Sequence, residues 1–142
     1  MSQANRPRMR VSSVVLGAPE PSALAAFYHR LLGWTVVEEY PARPGYPAQD
    51  GWAMLRPPSD STGLRGLSVQ WEPNYLAPVW PPVGGEQQMM VHLDIAVEDL
   101  EAGVDWALQA GASVAEHQPQ EHVRVMIDPA GHPFCLFRGP VD

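Results

Sequence analysis

One pattern occurs twice in this chain at nearly the same internal spacing, and that duplication limits the possible folds more than any single segment does. In the second half, Leu93, Ile95 and Val97 alternate with His92, Asp94 and Ala96, the period-two signature of a strand with one buried face. Asp99 follows as a helix N-cap, where its carboxylate can accept a backbone N–H and meets the positive end of the helix dipole. Leu100, Val104, Ala107 and Leu108 recur at helical spacing, Gly111 is the stop, and another strand begins at Ala112. In the first half, a strand over Val11–Gly17 leads to Glu20-Pro21, an acidic cap with proline at the first helical position. Leu24, Phe27, Tyr28, Leu31 and Leu32 form the apolar stripe, and Gly33 ends it before the strand that Trp34 opens. The stop glycine lies twelve residues after Asp99 and thirteen after Glu20. Seven residues before each cap stand His92 and Ser13, at equivalent points of equivalent strands.

The remaining segments complete both copies. After Trp34–Tyr40, the stretch Pro41–Gln49 can only be a loop, Gly51–Arg56 is a short strand, and Gly66–Glu72 alternates cleanly. In the second copy, Ala112–His117, His122–Asp128 and Pro133–Arg138 read as strands, with Asp128-Pro129-Ala130-Gly131 as a turn. The expected fold is therefore α+β: two tandem βαβββ modules, 11–72 and 90–138, joined by a linker over 73–89 in one domain. The prolines of Pro73–Gln88 forbid a long helix or central strand, yet Tyr75, Leu76, Val79 and Trp80 suit a segment that wraps the body and closes a pocket rim. Met1–Arg10 reads as a frayed tail.

Paired modules of this kind make a curved sheet with helices outside and a cup on the opposite face. Leu67, Val69, Leu93, Ile95, Val97, Val123, Val125 and Ile127 are then expected beneath the helices. Ser13, Gln70, His92 and Cys135 fall in or beside the cup, with Trp52, Met54, Arg56, Asp94, Arg124 and Met126 around them.

Composition narrows the function. The 142 residues can bury one good core, and 45% hydrophobic content is ordinary for a globular domain. Nine arginines and no lysine leave a net charge of −7 with no basic run, which argues against nucleic acid or an anionic membrane as partner. A single cysteine excludes an internal disulfide, and no stretch reaches membrane-spanning length, so a reducing cytoplasm is the expected location.

Phe27-Tyr28 with Leu31-Leu32-Gly33-Trp34, HLDIAVEDL from His92 and DPAGHPFCLF from Asp128 together resemble the vicinal oxygen chelate superfamily of glyoxalases, bleomycin-resistance proteins and extradiol dioxygenases. The likeness spans about Val11 to Phe137 and looks closest to glyoxalase-like proteins of actinobacteria. In metal-dependent members the ligands come from the first, fourth, fifth and eighth strands, positions that fall here on Ser13, Gln70, His92 and Cys135. Only His92 is a customary ligand in its place, and the set lacks the carboxylate that usually balances a divalent ion. The resemblance thus implies a small organic ligand held by Ser13, Trp52, Gln70, His92, Asp94, Arg124 and Cys135, with no metal cofactor. The alternative is a metal-dependent lyase, isomerase or dioxygenase using His92, in which a divalent ion is the cofactor. Asp94 either orients a neighbour or acts as a base, and Arg124 either guards an edge strand or meets an anionic group. Because each module alone is small and presents a free sheet edge, a homodimer is the expected assembly.

Overall fold

The computed structural model describes residues 6–141, so the first half of the expected frayed tail lies outside the described residues. The element order is β1 (Val14–Ala18), α1 (Pro21–Leu32), β2 (Thr35–Tyr40), β3 (Trp52–Arg56), β4 (Leu67–Trp71), β5 (Asp94–Val97), α2 (Leu100–Ala110), β6 (Ser113–Val114), β7 (Val123–Ile127) and β8 (Pro133–Arg138). The strands form two four-stranded mixed sheets, β1-β4-β3-β2 and β5-β8-β7-β6. Each is one βαβββ module, and the two share a topology: the first strand runs parallel beside the last, and the other pairs are antiparallel.

Both helices end where the sequence places their stops. Gly33 sits at φ 69° and Gly111 at φ 122°, a backbone region that residues with a Cβ rarely enter. The caps differ. Asp99 Oδ1 accepts the Ala102 N–H at 3.0 Å, as expected of an N-cap. The Glu20 side chain makes no such bond, and the expected acidic cap is corrected on this point: the first turn rests on Pro21 and on the Glu20 carbonyl, which accepts from Ala23 and Leu24.

The two modules share one core. Leu24, Phe27 and Tyr28 of α1 meet Leu55, Leu67 and Val69 of the first sheet, and Met126, Phe134 and Leu136 of the second. Phe27, Tyr28 and Phe134 pack edge-on or tilted, with centroids 4.8 to 6.4 Å apart, a geometry that aligns ring edges with ring faces. Polar ties cross the same seam. Arg30 donates through Nε and Nη2 to the Ala110 carbonyl at 3.0 and 2.7 Å, and Trp106 donates to the Leu31 carbonyl at 3.0 Å. Tyr28 donates to Asp128 Oδ2 at 2.7 Å, although both residues are almost wholly buried. His132 holds the turn through its backbone N–H on Asp128 Oδ1, and its ring Nε2 lies 2.7 Å from the Gly17 carbonyl of the other module, donating to it. Burial outweighs the opposing pull of His132 and Tyr28, so the Asp128 carboxyl sits above its ordinary pKa.

Candidate functional site

Period-two alternation assigns each strand residue to the core or to the open face of its sheet. On β5 and the residue before it, Leu93, Ile95 and Val97 pack toward the helices, and Val97 lies against α2 so closely that a Cβ on Gly103 would stand 3.0 Å from its Cγ1. His92 and Asp94 therefore point the other way, and His92 Nε2 lies 3.0 Å from Asp94 Oδ1. Asp94 is the register partner of Cys135 on parallel β8, which sets the thiol beside the carboxylate. The three donor atoms of His92, Asp94 and Cys135 all lie within 4.8 Å of one another. Burial and the adjacent Asp94 carboxylate push the Cys135 thiol above its ordinary pKa, so it is a neutral thiol at pH 7.

These side chains line a cavity of about 430 Å³ on the open face of the second sheet. Its walls are Val123, Val125, Pro133 and Phe137, and the linker closes the rim with Trp80 and Met89. Trp80 is fixed there by its indole N–H, which donates to the His117 carbonyl at 3.0 Å, and its ring tilts against His117. No lysine or arginine stands among the described residues that line it.

Strand β7 overturns part of the expected assignment. Val123 and Val125 face the cavity rather than the helices, whereas Met126, expected near the cup, is fully buried in the core. The pairing with β8 dictates this: Val125 stands opposite Cys135, and Met126 opposite the core residue Phe134. Arg124, opposite Leu136, consequently leaves the cavity face, and its guanidinium turns back to the Glu121 and Val123 carbonyls at 2.9 and 3.0 Å. It is not placed to meet a ligand in this cavity.

Ser13, Trp52 and Gln70 lie on the open face of the first sheet instead. Ser13 Oγ is 2.9 Å from Ser68 Oγ, Gln70 donates to Glu72 Oε1 at 2.7 Å, and Trp52 packs on Tyr40 with centroids 5.4 Å apart. A larger hollow there, about 690 Å³, is shallower, and its Arg43 and Asp50 already satisfy each other through a two-pronged ion pair. Those hydrogen bonds hold the Asp50 carboxyl below its usual range. The four-strand metal set that the resemblance implies therefore does not fit. Ser13 and Gln70 are engaged elsewhere, neither lines the cavity that holds His92 and Cys135, and the quartet carries no carboxylate.

Sequence reasoning did not foresee the Val123–Val125 wall, Phe137 or Met89. Trp80 belongs to the linker segment expected to close a pocket rim, and it lines this cavity.

Two βαβββ modules sharing one core, with polar residues and a hollow on the open sheet faces, define a protein of the glyoxalase and bleomycin-resistance class. Residues 13–137 match the family model described as a glyoxalase-like domain, and the chain belongs to that family. No curated protein matches it. Among solved structures, a glyoxalase family protein from Enterococcus faecalis is similar at 22% identity and TM-score 0.63, covering 91% of this chain and 97% of that one. A glyoxalase/bleomycin resistance protein/dioxygenase family enzyme from Burkholderia phytofirmans PsJN is similar at 15% identity and TM-score 0.59, covering 89% and 96%. TnmS3, an antibiotic binding protein from Streptomyces sp. CB03234, is similar at 15% identity and TM-score 0.59, covering 96% and 100%. At these identities the likeness is one of fold. Among the described residues, no helix is long and apolar enough to cross a membrane.

Proposed function

We propose that this chain binds a small, mostly apolar organic ligand on the open face of its second sheet, without the four-strand metal shell of metal-dependent relatives. The carrying observation is the 430 Å³ cavity, in which an apolar floor and an anchored tryptophan surround one convergent polar group, His92–Asp94–Cys135. That volume suits a drug-sized molecule, and the ratio of apolar wall to polar anchor is the usual one for such sites. One neighbour with this scaffold is an antibiotic binding protein, which is in keeping with a binding role here. Planar ligands are expected to slide between Trp80 and Val125 and to quench indole fluorescence. Titration of an aromatic compound panel in the presence of EDTA tests this. The expected result is saturable quenching that Trp80→Phe largely removes and that Val125→Trp, by filling the cavity, weakens at least tenfold. Quenching untouched by either change would place the ligand elsewhere and refute the reading.

We further propose that the chain acts as a homodimer in the cytoplasm. Val15, Leu76, Met90 and Val91 are exposed apolar residues that line one hollow beside β1, an edge strand of its sheet. A second copy would cover it.

A further inference from the structure

We infer that the ligand of this cavity carries a protonated nitrogen: an aromatic amine whose ammonium group meets Asp94 while its ring lies on the apolar wall. The inference rests on the ligand-binding reading above and names the chemical class of the ligand. Charge is the first observation that carries it. His92, Asp94 and Cys135 are the ionisable groups among the described lining residues, and no arginine or lysine stands there. Cys135 is a neutral thiol, and with the imidazole neutral, as it is counted in the net charge of −7, Asp94 leaves the cavity with an uncompensated negative charge. The nearest arginine along β7, Arg124, is spent on the Glu121 and Val123 carbonyls.

Hydrogen-bond polarity points the same way. A carboxylate only accepts, so His92 Nε2, 3.0 Å from Asp94 Oδ1, is the donor of that pair, and the Cys135 thiol also bonds to Asp94. The Trp80 indole N–H is engaged by the His117 carbonyl. The cluster thus spends its donors internally and keeps acceptors: the remaining lone pairs of Asp94 and the Nδ1 of His92. Among the described lining side chains, the Gln120 amide alone has further N–H groups to offer. A carboxylate or phosphate brought here meets like charge and a single amide, whereas an ammonium brings three N–H groups to a set of acceptors. The aromatic rings are the third observation. Trp80 and Phe137 both line the cavity, and ring faces attract cations through their quadrupole. The overall negative charge of the chain further raises the local concentration of cations. Because the Asp94 side chain is 62% exposed, water screens the attraction, and a preference of about tenfold is expected.

The test compares three probes that share one ring system and differ in charge: anthracenylmethylamine, anthracenylmethanol and anthracene carboxylate. Binding to the full chain is read by the anisotropy of the anthracene itself. The amine should bind about tenfold tighter than the alcohol, and the carboxylate about tenfold weaker than the alcohol. Asp94→Asn keeps the shape and removes the charge, so it should bring the amine down to the affinity of the alcohol without moving the alcohol. Glu39→Gln removes an equal charge from an exposed position of the first module and should leave the gap intact. Should Asp94→Asn fail to fold, added salt replaces it, closing the wild-type gap while sparing the alcohol. An amine no tighter than the alcohol, a carboxylate that binds best, or a gap that survives Asp94→Asn or closes on Glu39→Gln would overturn the inference. In those cases the alcohol still binds, and the ligand-binding reading stands. Failure of all three probes to bind, with indole fluorescence also unmoved, would overturn both.

Discussion

Replacing Tyr28 by phenylalanine removes one oxygen from the middle of the protein and tests what holds the two modules together. The Tyr28 hydroxyl donates to Asp128 Oδ2 at 2.7 Å, between residues one hundred positions apart. The other carboxylate oxygen, Oδ1, already accepts the N–H groups of Ala130 and His132 at 2.9 and 3.0 Å. Asp128 is only 3% exposed, so after the substitution water has little access to replace the lost donor. A hydrogen bond to a charged group contributes about 1.5–3 kcal/mol, and an orphaned buried acceptor costs a similar amount, so a loss of about 2 kcal/mol is expected. For a chain of this length that corresponds to a fall in Tm of roughly 6–8 °C.

The pH dependence separates this mechanism from simple loss of packing. Burial raises the Asp128 pKa overall, so ionising it costs stability as pH rises through the folded value, and the Tyr28 hydroxyl offsets part of that cost. The offset exists only while the carboxylate is charged. The penalty of Tyr28→Phe should therefore be largest near neutral pH and shrink as acid protonates Asp128. Urea unfolding of the two single mutants and of Tyr28→Phe/Asp128→Asn gives the coupling directly. A coupling below about 0.5 kcal/mol, or a penalty that does not change with pH, would show that the bond contributes nothing beyond its packing.

Alkaline conditions should unfold the protein from the same region. Tyr28 is held well above its ordinary value by burial and then by Asp128, burial and Asp128 push Tyr75 up to about 12, and Cys135 is also raised. Groups with raised folded values contribute stability that is complete below their unfolded values and is lost as pH rises through the folded ones, so the urea midpoint should hold to about pH 8 and fall toward pH 12. A midpoint constant to pH 12 would contradict it. For the assembly, light scattering at micromolar concentration should give twice the chain mass, and Val91→Asp should return a folded monomer; a wild-type monomer refutes the dimer while leaving the fold intact.

The helix bounds were legible because several local signals agreed at each end. Pro21 opens α1, Asp99 caps α2, and Gly33 and Gly111 stop them, each for a backbone reason that no distant contact can override. Strand β8 was equally clear. The cross-seam bonds were not, since Tyr28–Asp128 and His132–Gly17 join residues that no periodicity relates. Asp128 read as a turn former, which it also is.

Strand β7 failed for a more informative reason. In Val-Arg-Val-Met-Ile, four of five residues are apolar, so either register buries apolar side chains, and alternation cannot decide between them. The choice is made by β8, whose Phe134 and Leu136 already commit to the core and carry Met126 and Arg124 to their side. Val123 and Val125 are left on a face that would be polar if it met only solvent. They are apolar because that face is a cavity wall. The open face of the first sheet shows the ordinary outcome, with polar pairs on it: Ser68 meets Ser13, and Gln70 stands opposite Trp52 and bonds Glu72. A strand that is apolar on both faces, in a sheet with a helix on one face only, thus marks where a ligand would supply the missing cover. The ambiguity that misled the register and the cavity that carries the functional reading have the same physical origin.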